Sequence, residues 1–315
     1  MTTFINWEMD KFCNFKCEYC FNRSEKKQFT YGKNDVKKMV DGFNKIDGDL
    51  LIQISGGEPF LWSRFTELCG GLTEKHRISI NTNLSTGNIY DFAEQIDPKR
   101  IEYVHCSLHI EERKRKGLVE DFISKYHHLK DNGFNIYASQ VLYPPILKRF
   151  DEYFALLKDN GIILKPKTFR GNYMYMHYPY SYSRQDRDRI LGYVENYKEL
   201  SDFDNEYGKL ELSLEKELIN GDLSFRGMLC NAGMNSVTVD REGNVTRCHG
   251  ERTWMGNIFD GSVKFLTKPT LCSAKICPCP FFGFLGVEGE RKPNVVKIDM
   301  LTEKIDSVIR KITRM

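Results

Sequence analysis

The sequence lacks the features that direct a chain into a membrane or out of the cell. It has no apolar stretch long enough to cross a bilayer and no N-terminal signal peptide. It opens with Met-Thr-Thr-Phe-Ile-Asn-Trp and enters a strand-like run at once. We therefore expect a cytoplasmic protein with no membrane partner.

A strong charge of either sign is also missing. The chain has 46 Lys and Arg residues against 43 Asp and Glu residues, a formal net charge of +3. Its one short basic run, Arg113-Lys114-Arg115-Lys116, is typical of a solvated helix start. These features argue against a nucleic-acid partner. We find no internal repeat and no low-complexity tail, and 315 residues suffice for one large domain or a large and a small one.

Cysteine, by contrast, is plentiful and clustered. Three of the ten cysteines lie within residues 13–20 and five within 230–279, with Cys69 and Cys106 outside both groups. In a cytoplasmic chain this indicates metal or redox chemistry more than disulfides.

The first group has the spacing Cys13, Cys17, Cys20. Three thiolates can hold three corners of a cubane iron–sulfur cluster and leave one iron open to a substrate. A zinc site or three ordinary thiols are the alternatives, although no second pair of cysteines or histidines lies nearby.

These residues resemble the cluster motif of the radical SAM superfamily, including Tyr19 just before the last cysteine. The segment Ser55-Gly56-Gly57-Glu58-Pro59 resembles the Gly-Gly-Glu-Pro motif of the same family. The resemblance implies a [4Fe-4S] cluster on Cys13, Cys17 and Cys20, with S-adenosylmethionine (SAM) bound through its amino group to Gly56, Gly57, Glu58 and Pro59. It further implies adenine beside Tyr19, and the SAM carboxylate or ribose near three polar residues, Asn81, Asn83 and Ser107. Ordinary loop capping is the alternative for these three.

Strand and helix signals alternate up to about residue 170. Apolar runs predict strands at 3–9, 50–54, 77–80, 101–108, 134–142 and from 162. Helical spacing of apolar residues predicts a helix after each of the first five, at 35–46, 63–76, 87–96, 118–132 and 150–160. Such a series implies an α/β fold with a parallel sheet. The resemblance implies that the sheet curves into a partial (β/α)6 TIM-like barrel, with both motifs at the carboxyl ends of strands, where β/α barrels carry reactive groups.

We predict three parts: a radical SAM partial barrel over 1–172, an aromatic-rich and helical bridge over 173–225, and a small auxiliary domain with a C-terminal helix over 226–315. The tyrosine-rich start of the bridge either lines a substrate cavity or packs the junction.

The second cysteine group comprises Cys230, Cys248, Cys272, Cys277 and Cys279. Two short β-type runs around Gly243 predict a hairpin that brings Cys230 and Cys248 together. The spacing of Cys230, Gly243 and Cys248 resembles the start of SPASM and twitch extensions, which implies one auxiliary [4Fe-4S] cluster. A structural zinc site is the alternative. The spare thiol, for which Cys279 is our candidate, is inert, a further ligand in a looser metal site, or a hydrogen donor to a product radical.

The resemblance implies reductive cleavage of SAM to a 5′-deoxyadenosyl radical, with the electron from a reductant such as flavodoxin or ferredoxin. Our first hypothesis is oxidation or epimerisation of a small polar metabolite, for example a sugar or cyclitol. The second is maturation of a ribosomal peptide, which the short segment before Cys13 disfavours because it holds no leader-binding domain. The third is a non-catalytic metal scaffold, which would not need the Gly-Gly-Glu-Pro motif.

Overall fold

The computed structural model describes residues 2–20, 27–32, 35–203, 205, 212, 215–219, 225–274 and 277. The candidate hydrogen donor Cys279 and the predicted C-terminal helix lie outside this part of the chain. Within it, no helix has the length and apolar character needed to cross a membrane.

The first half of the chain alternates strands with helices. The strands are β1 (Thr3–Asp10), β2 (Leu50–Gly56), β3 (Arg77–Thr82), β4 (Ile101–Ser107), β5 (Ile136–Val141) and β6 (Leu164–Lys167). The helices are α1 (Asp35–Asn44), α2 (Phe65–Thr73), α3 (Asn88–Gln95), α4 (Ile110–Lys116), α5 (Val119–Asp131), α6 (Pro144–Lys148) and α7 (Phe150–Asp159). Each strand from β1 to β6 pairs in parallel with the next, which confirms the α/β fold. The short helix α6 was not expected from the sequence, and α4 ends with the basic run that we expected at the start of a helix.

Side-chain alternation gives this sheet two different faces. On β1, Ile5, Trp7 and Met9 belong to the large core that also contains the buried residues of the helices. Phe4, on the opposite face, belongs to a smaller apolar cluster with Leu51. Helices therefore cover the outer face of the sheet, and the inner face carries both polar and apolar side chains.

The second half adds further strands and one long helix. They are β7 (Gly171–Tyr173), β8 (Met176–Tyr178), α8 (Arg184–Leu200), β9 (Leu229–Cys230), β10 (Ser236–Val239), β11 (Asn244–Thr246), β12 (Trp254–Asn257) and β13 (Thr270–Leu271). The predicted hairpin is present, because β10 and β11 pair antiparallel. The tyrosine-rich stretch forms a second hairpin, β7–β8, which the sequence did not predict. The bridge predicted to be helical contains α8, which ends at Leu200, and residues 212 and 215–219 are helical as well.

The C-terminal hairpin continues the sheet of the barrel. Strand β10 pairs in parallel with β1, and the nine-stranded order is β12-β11-β10-β1-β2-β3-β4-β5-β6. The contact extends to α1, where Trp7 and Phe43 have ring centroids 5.0 Å apart and Phe259 lies 6.2 Å from Trp7. The boundaries proposed for the three parts remain predictions.

Gly42 in α1 gives a test of this contact. A Cβ atom at Gly42 would lie 2.8 Å from the carbonyl oxygen of Ile258 and 3.1 Å from the ring of Phe259. We expect Gly42→Ala to destabilise the protein by about 1–3 kcal/mol through overpacking, measured as a lower melting temperature. The control is Gly70→Ala in α2, where the nearest atom is 3.8 Å away, and it should be neutral or stabilising by up to about 1 kcal/mol. A Gly42→Ala variant that melts at or above the wild-type temperature would contradict the packing.

Candidate active site

The cysteine loop leaves the carboxyl end of β1, beside the glycines that end β2. Asp10, the last residue of β1, starts the loop, because its carboxylate accepts the backbone N–H groups of Lys11 at 2.7 Å and Phe12 at 3.2 Å. Asp10 also pairs with Gly56 in the sheet register. The two motifs are therefore neighbours at one end of the sheet.

Gly56 and Gly57 allow the cysteine loop to pass directly against β2. The N–H of Gly57 donates to the Asp10 carbonyl at 2.7 Å, and the N–H of Glu58 donates to the Phe12 carbonyl at 2.9 Å. A Cβ at Gly57 would lie 1.8 Å from the Phe12 carbonyl oxygen, and Gly56 has φ +128°. Both positions therefore require glycine for backbone reasons, whatever they bind.

The carboxylate of Glu58 joins the ends of β2 and β3. It accepts hydrogen bonds from the Thr82 hydroxyl at 2.8 Å, the Asn83 N–H at 2.6 Å and the Phe60 N–H at 3.1 Å. The last bond caps a 3-10 turn over Pro59–Leu61. Burial raises the pKa of Glu58 to about 7, against the effect of these hydrogen bonds.

The three cysteines of the loop differ in exposure. Cys13 and Cys17 are half-buried, and Cys20 is exposed. The side-chain amide of Asn83 lies 3.6 Å from the Cys13 sulfur, and the N–H of Phe15 lies 3.4 Å from it. Burial raises the pKa of Cys13 to about 11 and that of Cys17 to about 12. Both thiols are therefore protonated at neutral pH until a metal displaces the proton.

The arrangement of these thiols fits a cluster of several irons. Among the described residues, no group of three or more His, Cys, Asp or Glu side chains is placed to hold a metal ion. A single zinc, with Zn–S bonds of about 2.3 Å, would need sulfurs about 3.8 Å apart. Cys13 and Cys20 act electrostatically on Cys17, so the three thiols are neighbours in the loop. In an iron–sulfur cluster each cysteine binds a different iron, so three neighbouring thiols can hold one cluster.

Tyr19 belongs to a second polar group beside the cysteine loop. Its hydroxyl is 2.7 Å from His109 Nδ1 and accepts a hydrogen bond from the Gln140 amide at 3.3 Å. The ring of Tyr143 lies 4.8 Å from that of Tyr19. Burial lowers the pKa of His109 to about 3, so its imidazole is neutral and able to share one proton with Tyr19. A cavity of about 110 Å³ lies between Tyr19, His109 and Glu111.

The other predicted SAM residues occupy two different places. Asn83 touches the cysteine loop, where its amide also donates to Asn14 Oδ1 at 3.1 Å. Asn81 lies on the inner face of the sheet, 3.1 Å from His105 Nδ1. Ser107 is half-buried at the end of β4. The structure therefore does not gather Asn81, Asn83 and Ser107 at one point, and their roles stay predictions.

The inner face of the barrel carries a polar network that the sequence analysis missed. His105 lies between Asn81 and the Ser139 hydroxyl, which is 2.5 Å from Nε2. On the neighbouring strands, Asn6 donates to Gln53 at 3.2 Å. The signal was available in the sequence, because these polar residues interrupt otherwise apolar strands at every second position.

The described cysteines of the second group also lie near one another. Cys230, Cys248 and Cys272 interact electrostatically, and they pack with Cys277 against the inner apolar cluster. Burial raises the pKa of Cys230 and of Cys248. Arg247 holds the neighbouring strands together, since its guanidinium donates to the carbonyls of Ala232 at 3.1 Å and Thr270 at 3.0 Å. Four of the five predicted thiols thus lie in one region, and Cys279 falls outside the described residues.

One prediction from the sequence was wrong in part. Lys114, Arg115 and Lys116 are exposed as expected of a solvated run, but Arg113 is fully buried. Helical spacing explains this, because Arg113 lies three residues after the buried Ile110 and on the same face of α4.

Glu58 makes the stability of the apoprotein depend on pH. Its pKa is about 4.5 in the unfolded chain and about 7 in the fold, so ionised Glu58 opposes folding. We expect a loss of stability as pH rises from about 5 to 8, amounting to about 3 kcal/mol. The measurement is the unfolding free energy of wild type and Glu58→Gln across this range, because the glutamine variant lacks the titration.

Glu67→Gln is the control for this comparison. Glu67 is exposed and its pKa is lowered by Arg64, so it titrates below the pH window. Its variant should follow the wild-type curve. Parallel curves for wild type and Glu58→Gln would show that Glu58 is not the titrating group.

Comparison with known proteins agrees with this geometry. Residues 7–159 match the model of the radical SAM superfamily. The structure resembles anSMEcpe with bound AdoMet, with a TM-score of 0.59 and 18% identity over 82% of this chain and 78% of that one. It also resembles SuiB of Streptococcus suis bound to S-adenosylmethionine, with a TM-score of 0.54 and 17% identity over 82% and 63%. No curated protein matches the chain. Residues 7–159, which hold both motifs, therefore form a region of the radical SAM superfamily.

Proposed function

We propose that the enzyme binds a [4Fe-4S] cluster on Cys13, Cys17 and Cys20 and cleaves SAM at it. The observation that carries this proposal is the direct backbone pairing between the cysteine loop and Gly57-Glu58. This pairing brings the three thiols and the motif associated with the SAM amino group to the same end of the sheet. When bound, the cluster supplies one electron that breaks a C–S bond of SAM, giving methionine and a 5′-deoxyadenosyl radical.

The chain's own residues orient these groups. Gly56 and Gly57 let the loop approach β2, while the Asn83 amide points at the Cys13 sulfur. Tyr19, tied to His109, forms one wall of the small cavity next to Cys17. Holding the reacting groups in one geometry can supply about 7–11 kcal/mol of the barrier reduction in a reaction.

The 5′-deoxyadenosyl radical would remove a hydrogen atom from an unactivated carbon of a polar substrate. Polar side chains on the inner face of the barrel, including Asn6, Gln53 and His105, support this choice of substrate. Our proposal is a small polar metabolite, such as a sugar or cyclitol, that is oxidised or epimerised. A reductant such as flavodoxin or ferredoxin would supply the electron.

A peptide substrate is the second candidate. The similar structures include anSMEcpe with a Kp18Cys peptide and SuiB with the precursor peptide SuiA. In this chain the hairpin β7–β8 carries two strongly exposed residues at its tip, Met174 and Tyr175. The hairpin also touches the active-site side of the barrel, since the rings of Tyr173 and Tyr143 lie 5.4 Å apart. An exposed hairpin there suits contact with an extended chain.

We also propose one auxiliary [4Fe-4S] cluster on the second cysteine group. Its support is the packing of Cys230, Cys248, Cys272 and Cys277 against one apolar cluster. Such a cluster would accept an electron from a substrate radical or shape the cavity.

SAM cleavage tests the first proposal. With dithionite under anaerobic conditions, the wild type should release 5′-deoxyadenosine and methionine, and Cys17→Ala should release neither, because one corner of the cluster loses its ligand. Cys69→Ala is the control, since Cys69 is buried in α2 away from both cysteine groups. Equal release by wild type and Cys17→Ala would refute the assignment, and release by neither wild type nor control would favour a scaffold.

Iron content tests the auxiliary cluster. After reconstitution we expect about eight irons per chain in the wild type and about four in a Cys248→Ala/Cys272→Ala variant. The variant should keep the cluster at Cys13, Cys17 and Cys20. A wild type with about four irons and one zinc would instead assign the second group to a structural zinc site.

A further inference from the structure

Arg113 is a buried cation in the first turns of α4, with no exposed surface. Its guanidinium donates to three backbone carbonyls, those of Leu108 at 2.6 Å, Leu118 at 3.3 Å and Asn83. The rings of Phe15 and Phe122 lie 5.3 Å and 4.3 Å from its central carbon. Burying a permanent charge is costly, so this environment must satisfy it closely.

Two of these contacts connect Arg113 to the candidate active site. Phe15 lies between Cys13 and Cys17 in the sequence and is itself buried. Asn83, whose carbonyl Arg113 binds, donates its own N–H to Glu58 and directs its amide at the Cys13 sulfur. Arg113 therefore touches both segments that shape the site, the cysteine loop and the end of β3.

The positive charge also acts at a distance on this site. Burial lowers the pKa of Arg113 to about 10, which leaves it charged at neutral pH. Its charge lowers the pKa of Glu58, and it interacts with Cys17. In an interior of low effective dielectric such interactions are stronger than in water.

We propose that Arg113 is a positioning residue that holds the cysteine loop against Asn83 and raises the reduction potential of the cluster on Cys13, Cys17 and Cys20. The inference rests on the proposed function, because it requires that cluster. A cluster held by these thiolates would gain one negative charge when an external reductant supplies an electron. A permanent cation nearby stabilises the reduced form, and net charge and hydrogen bonds to sulfur are known to set cluster potentials.

Three variants distinguish the positioning role of Arg113 from the effect of its positive charge. Arg113→Lys keeps a positive charge but loses the planar fork that reaches three carbonyls, while Arg113→Met loses both. Arg187→Met is the matched control, because Arg187 also donates to three backbone carbonyls, those of Tyr180, Tyr182 and Ile219, at 3.0–3.2 Å.

The positioning part is tested on the metal-free protein. We expect iodoacetamide to alkylate Cys13 and Cys17 several-fold faster in both Arg113 variants than in wild type, measured by mass spectrometry. The Arg187→Met rate should equal the wild-type rate. Unchanged rates in both Arg113 variants would overturn the positioning role.

The electrostatic part is tested on reconstituted protein by redox titration followed by electron paramagnetic resonance. We expect a more negative midpoint potential in Arg113→Met and a value close to wild type in Arg113→Lys. If Arg113→Met does not fold, faster alkylation of Arg113→Lys still tests the positioning role, and a lowered potential in Arg113→Lys would overturn the charge effect. A lowered potential of equal size in Arg113→Lys and Arg113→Met would overturn the charge effect. A wild type that binds no cluster would refute the proposed function instead, and the alkylation result would stand by itself.

Discussion

The contact between two backbone segments, residues 10–12 and residues 56–58, is the constraint on which the active site depends. Two hydrogen bonds join them, from Gly57 to Asp10 and from Glu58 to Phe12. No side chain fits between the segments at Gly57, where a Cβ would lie 1.8 Å from a carbonyl oxygen. The cysteine loop thereby continues the pairing of β1 with β2 beyond the end of the sheet. This pairing fixes the start of the cysteine loop against β2.

Buried charge is the second feature that organises the site. Glu58 is almost fully buried and accepts three hydrogen bonds, yet burial still raises its pKa to about 7. Arg113 is fully buried and donates to three carbonyls. Asn83 connects the two, because its N–H binds Glu58 and its carbonyl binds Arg113. A buried charge with fixed partners strongly favours one local arrangement, since any other leaves it unsatisfied.

The C-terminal hairpin is built onto the barrel through β10 and β1. This pairing brings Cys230 and its neighbours to the inner face of the sheet, against Leu51 and Tyr137. The thiols at Cys13–Cys20 lie beyond the carboxyl end of the same strand β1. The sheet that contains β1 therefore positions both cysteine groups.

Local patterns in the sequence determined the elements and the family. Apolar runs and helical spacing placed the six parallel strands, and two short motifs identified the radical SAM superfamily. Such patterns work because they record which face of an element is buried, and that is a property of neighbouring residues. They also placed the hairpin β10–β11, whose turn is local.

Only the tertiary structure decided which distant groups meet. The pairing of β10 with β1, the contact of Arg113 with the Asn83 carbonyl, and the hydrogen bonds from Thr82 and Asn83 to Glu58 all join segments far apart in the chain. A local pattern carries no information about such partners, because the energy of a buried charge depends on every segment packed around it. The same holds for the polar network around His105, whose members come from three different strands.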